Sequence, residues 1–153
     1  MLEFAHALTG ATIAYRIQNP VISLPLALLS HSLVDLLPHW NFVLDKERKK
    51  LGKISKKTIF WLYLDSFTGL SLGLLLAFKA LPHFPRFLTI IAAAFLAVLP
   101  DLIEAPYFFF NYSNKLIDKI IALQKKLQWN IPFWPGIITQ IFFASLLLSL
   151  TLL

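Results

Sequence analysis

The stretch TIFWLYLDSFTGLSLGLLLAFKA, residues 58–80, decides how this chain is to be read. It stays apolar for longer than the ~20 residues an α-helix needs to cross a hydrocarbon core about 30 Å thick. Working outward, three more runs reach spanning length, residues 21–40, 87–107 and 132–153. A fifth apolar stretch, 4–17, falls below the ~17 residues needed for an untilted crossing, and is expected to be a short span packed among the others. Composition agrees with this reading. Hydrophobic residues make up 58% of the 153, and charged residues 14%, against about 25% charged in soluble domains. Too few polar side chains remain to clothe a water-facing surface, and the same arithmetic excludes intrinsic disorder. The chain has no cysteine, which removes disulfides, thiolate metal sites and cysteine nucleophiles together. The expected fold is all-α: one integral membrane domain over 1–153, a bundle of four to five transmembrane helices plus one interfacial amphipathic helix.

The net charge of +6 reports topology in such a chain rather than nucleic acid binding, and no nucleic acid partner is expected. Lys46, Arg48, Lys49, Lys50, Lys53, Lys56 and Lys57 crowd one connection, and Lys115, Lys119, Lys125 and Lys126 lie in another. Only Arg16, Lys79 and Arg86 fall on the opposite side. The positive-inside rule then predicts an N-terminus in the cytoplasm and a C-terminus outside, in a bacterial-type inner membrane. The basic run 46–57 is also the expected binding surface for anionic lipid headgroups, membrane lipids being the expected partners. Met1-Leu2-Glu3 carries no basic leader, so no removable signal peptide is expected. Residues 113–127 place Leu116, Ile117, Ile120, Ile121, Leu123 and Leu127 at helical spacing opposite lysines, with Ser113 available as N-cap. This predicts an amphipathic helix on the cytoplasmic leaflet.

Ionisable groups inside spans cost roughly 2.5–3.5 kcal/mol each on insertion scales, so each needs a partner or a purpose. His6 lies near the start of the first helix, and His31, Asp35 and His39 follow at four-residue steps along the second. Asp65 is in the third, and Asp101 and Glu104 share a face of the fourth. With the topology above, all seven fall at the cytoplasmic end of their helices. Small residues accompany them on the same stripes, in His6-Gly10-Ala14, Ala27-His31-Asp35, Asp65-Gly69-Gly73 and Ala93-Ala97-Asp101, which lets the polar faces meet. Histidines and carboxylates at one depth form the donor set of a divalent cation, zinc first, with manganese or iron as the other candidates. His31, Asp35, His39, Asp65 and Asp101 are the candidate metal ligands, with Glu104 and His6 as ligands or proton-transfer groups.

His6-Ala7-Leu8-Thr9-Gly10, Ser30-His31-Ser32-Leu33 and Leu99-Pro100-Asp101-Leu102 resemble the YdjM-like inner-membrane, metal-dependent hydrolases. The segment from His31 through Pro38-His39-Trp40 is also similar, over about a tenth of the chain, to zinc-dependent phospholipases C. The resemblance implies that His31, Asp35 and His39 are metal ligands, that Asp101 is the acid of the Leu-Pro-Asp element, and that His6 is the N-terminal histidine. Where the YdjM-like pattern continues with an Asp-His pair, this chain has Ile103-Glu104. The expectation is a membrane-bound metal-dependent hydrolase acting on a phosphoester such as a lipid headgroup. A metal or proton transporter, and a non-enzymatic scaffold with a structural polar cluster, are the alternatives.

Overall fold

A computed structural model describes residues 1–152; Leu153, the last residue of the expected 132–153 span, lies outside the described residues. The described chain is built from seven helices, α1 (Glu3–Arg16), α2 (Pro20–Val34), α3 (Leu44–Leu51), α4 (Lys56–Phe78), α5 (Phe84–Phe110), α6 (Lys115–Leu127) and α7 (Phe133–Leu152). Three of them, α4, α5 and α7, are long and apolar enough to cross a membrane. Only 17–22% of each apolar segment is buried against the rest of the protein, leaving Phe60, Phe67, Phe95, Ile138 and Phe142 facing outward. Such a surface needs lipid around it, consistent with an integral membrane protein.

Three such helices are fewer than the four to five expected, and the reason is local. The second run does not continue as helix to Trp40: α2 stops at Val34, with Asp35 at its C-cap. Pro38 lacks an N–H and disfavours helix in the residue before it, and here, unlike at Pro25 within α2, the chain leaves the helix ahead of the proline. At about 1.5 Å per residue the 15 residues of α2 rise about 22 Å, short of the bilayer core. The first run is shorter still, 14 residues, and becomes the hub of the bundle instead.

Helix α1 packs against α2, α4, α5 and α7, and its residues from Ala5 to Thr12 are all buried. Gly10 permits this centrality. A β-carbon there would sit 2.3 Å from the Ala93 carbonyl oxygen and 2.7 Å from the Ala97 β-carbon, closer than packed atoms tolerate. With the glycine, α1 lies directly on the Ala93–Ala97 stripe of α5. The start of α1 is buried too, so its orphan amides need acceptors inside the protein. Asp65 of α4 supplies two, accepting from the Glu3 N–H at 2.8 Å and the Phe4 N–H at 3.0 Å, and Gln140 of α7 accepts from the Leu2 N–H at 2.8 Å.

The amphipathic helix forms as expected, but begins at Lys115 with Asn114, not Ser113, as its N-cap. Asn114 accepts from the Leu116 and Ile117 amides, while the Ser113 hydroxyl turns to Asp118. Ile117, Ile121 and Gln124 form its buried face, packed on α5. Both basic elements, α3 and α6, lie at the end of the bundle where α1 begins and α2 and α5 finish. An ion pair between Lys125 and Asp45 joins them.

Candidate functional site

At that end the described residues bring three of the predicted side chains, His6, His31 and His39, around the carboxylate of a fourth, Asp35, and Asp101 joins them through His31. Asp35 Oδ1 lies 3.4 Å from His6 Nε2 and 3.7 Å from His39 Nε2, and Oδ2 lies 3.8 Å from His31 Nε2. Asp101 Oδ1 is 3.5 Å from His31 Nε2. His6, His31, Asp35 and His39 are all essentially buried. The His6 and His31 rings, on α1 and α2, stack with centroids 4.0 Å apart. His6, His31 and Asp101 each offer a ligand atom within 4.8 Å of the others.

His39 reaches this cluster by a route the helical spacing did not foresee. Beyond the end of α2 the chain turns, and the backbone of 35–39 pairs with the segment following α6. The Trp129 N–H donates to the Asp35 carbonyl at 3.1 Å, the His39 N–H to the Trp129 carbonyl at 3.0 Å, and the Ile131 N–H to the His39 carbonyl at 2.8 Å. The spacing of His31, Asp35 and His39 therefore does bring them together, with the last of the three held by a loop rather than by a helix face.

Ring orientation is set by backbone carbonyls. His31 Nδ1 is 2.8 Å from the Ala97 carbonyl oxygen, and His39 Nδ1 is 2.7 Å from that of Leu37. A carbonyl only accepts, so Nδ1 carries a proton in both rings and each Nε2 faces the cluster. This is the arrangement metal-ligating histidines use to fix their tautomer. Both ring nitrogens of His6, the Nε2 of His39 and one oxygen of Glu104 are buried without a hydrogen-bond partner.

Other contacts were not legible as site chemistry. Gln124 of α6 donates to Asp101 Oδ1 at 3.0 Å and lies 3.1 Å from His31 Nε2, bridging the two. Its signal in the sequence was a single amide on the apolar face that carries Ile117 and Ile121. The Met1 amino group pairs with Asp35. Asp65, expected as a ligand, has both oxygens engaged by the first amides of α1, and its place is that of a cap supplied from another helix.

The basic segment divides in two. Lys46, Lys49, Lys50, Lys53, Lys56 and Lys57 are exposed and free to meet headgroups. Arg48 is instead drawn back onto α5, donating to Asn111 Oδ1 at 2.7 and 3.1 Å with its guanidinium 4.0 Å above the Tyr107 ring. Glu47, on α3, accepts from the Ser55 N–H and the Thr58 hydroxyl at the start of α4. The nearby Ser55 hydroxyl foremost, and with it these hydrogen bonds, hold its carboxyl below the usual glutamate range.

Beside the cluster a cavity of about 630 Å³ opens between α4, α5 and α6. Glu3, Asp65, Asp101 and Glu104 line it, together with Lys125 and aromatic residues of α4 and α5. The opposite half of the bundle is closed by Leu8, Leu76, Ala77, Ile90 and Leu147. No protein-family model, no curated protein and no solved structure matches this chain.

Proposed function

We propose that this is a metal-dependent hydrolase of the bacterial-type inner membrane. Its N-terminus and basic elements lie in the cytoplasm and its C-terminus outside, and it acts on a phosphoester such as a lipid headgroup. The observation that carries the reading is the convergence of His6, His31 and His39 Nε2 on Asp35, two of them with Nδ1 already donated to a carbonyl. Buried polar atoms without partners are uncommon, and the orphaned nitrogens of His6 and His39 fit a cation's donors. When bound, zinc, manganese or iron would supply an acidified water and a Lewis acid for a phosphoryl oxygen. His31 and Asp101 would hold it with His6, while Asp35 and His39 complete or orient the donor set. Glu104, on the cavity wall with an oxygen lacking a partner, faces the space a substrate would enter. The polar layer does not continue through the dry half, which disfavours a transporter.

A structural role for the cluster is the second reading, favoured by Gln124 and the Met1 amine, which already occupy Asp101, His31 and Asp35. Elemental analysis of detergent-purified protein separates the two. The hydrolase reading expects near-stoichiometric zinc, manganese or iron, lost in a His31→Ala/Asp101→Asn variant, and metal-dependent cleavage of a nitrophenyl phosphodiester. Protein that stays folded and metal-free after incubation with those ions leaves the structural reading.

A further inference from the structure

The cavity beside the histidines has a neighbour. A second, apolar slot of about 240 Å³ lies along the groove between α4 and α5, floored by Gly69, Gly73 and Ala94. Glu3, Ser66 and Leu102 line both spaces, so the two adjoin. The slot belongs to helices whose outer faces are apolar along a membrane-spanning length, which opens it to acyl chains.

The wider space is acidic. Asp65 is engaged by backbone amides, Asp101 by Gln124 and Asp45 by Lys125 through Oδ2, its Oδ1 having no partner, whereas Glu104 makes none of these contacts. It is 7% exposed, lines the cavity, and has an oxygen with no partner. Glu3 lines the same space. The carboxyl groups of Glu3 and Glu104 and the aromatic side chains of Phe42, Tyr63 and Phe108 line one cavity, the side-chain types that receive an ammonium group through charge-assisted hydrogen bonds and ring faces. A phosphate entering there finds Lys125 on the cavity wall.

We propose that the adjoining cavity and slot bind one phospholipid with an amine headgroup, its ammonium at Glu104 and Glu3 and an acyl chain in the Gly69–Gly73–Ala94 groove. As a statement of substrate class this rests on the hydrolase reading; as a binding site it does not.

The test is native mass spectrometry of the detergent-purified full chain, titrated separately with dioleoyl phosphatidylethanolamine, dioleoyl phosphatidylglycerol and free ethanolamine, with metal content measured on the same samples. One phosphatidylethanolamine per chain is expected, preferred over phosphatidylglycerol by about tenfold, the scale of one charge-assisted hydrogen bond. Glu104→Gln should abolish that preference while keeping chain binding. Ala94→Leu, which fills the slot, should weaken both lipids; should it fail to fold, Leu70→Trp at the exposed lip serves the same purpose. Equal or tighter phosphatidylglycerol binding overturns the proposal. So does retention of lipid by the slot variants, or free ethanolamine binding as tightly as the lipid. Metal-free protein that still selects phosphatidylethanolamine removes the hydrolase and keeps this site; metal-loaded protein without selectivity does the reverse.

Discussion

The two ends of the bundle are held together by opposite means. At the end where α1 finishes, Leu8, Ala11, Ala14, Ala27, Leu76, Ala80 and Ile90 interlock as a dry core. Its boundary charges are turned onto backbone and rings: Arg86 donates to the Tyr15 carbonyl at 2.7 Å and lies over the Tyr15 ring, and Lys79 donates to the Thr151 carbonyl. At the other end, cohesion comes from hydrogen bonds among buried ionisable groups, several of whose atoms have no partner. In lipid, helices gain little from the hydrophobic effect and associate by close packing or by polar contacts. The dry end uses the first, and its partnerless polar atoms, Thr12 Oγ1, Ser23 Oγ and Arg86 Nε, are single groups on separate helices. The wet end uses the second and gathers its partnerless atoms, those of His6, His39 and Glu104, among histidines and carboxyls.

Because α1 belongs to both ends, the largest expected effect is at Gly10. Gly10→Val would force a side chain into the Ala93 carbonyl, costing about 3 kcal/mol by overpacking and separating the His6 and His31 rings. Chemical denaturation in detergent measures the loss. A valine variant of unchanged stability would mean that α1 does not sit on α5 as described.

A smaller effect is expected at Asp65. Asp65→Ala removes two acceptors from the start of α1 and should cost about 2 kcal/mol, with metal content unchanged. Loss of bound metal without loss of stability would restore Asp65 as a ligand and blur the line between capping and site residues.

The smallest effect lies outside the bundle, at Glu47. Its folded pKa is depressed below the ordinary 4.5, so its contribution to the α3–α4 junction is fully present above that value and is lost as pH falls through the lower folded value. An NMR titration should find Glu47 below 4.5, and Ser55→Ala should move it back towards that value. A Glu47 that titrates normally in the wild type would detach the basic helix from α4 and leave the lysine rim free of the bundle.

Much of the polar layer was legible in the sequence. Four-residue spacing marked His31, Asp35 and His39 as neighbours, and small residues on the same stripes marked the inward faces. Three things were hidden. Asp65 reads identically as a ligand or as a cap for a distant helix, since the amides it accepts from are 61 and 62 residues away in sequence. The return of His39 depends on pairing with Trp129 and Ile131, about 90 residues on. Gln124 is one amide on an otherwise unremarkable apolar face until α6 docks on α5.

By itself the sequence determined that this chain is helical and apolar along membrane-spanning lengths, and that its charged groups segregate, because run length, hydropathy and charge are properties of neighbouring residues. Only the tertiary structure decided that the shortest run would be the central helix, because that depends on which backbones can touch. Gly10 lets α1 reach α5, and the acceptors of Asp65 and Gln140 make a buried helix start tolerable. The same long-range packing selects which buried polar atoms are satisfied and which have no partner.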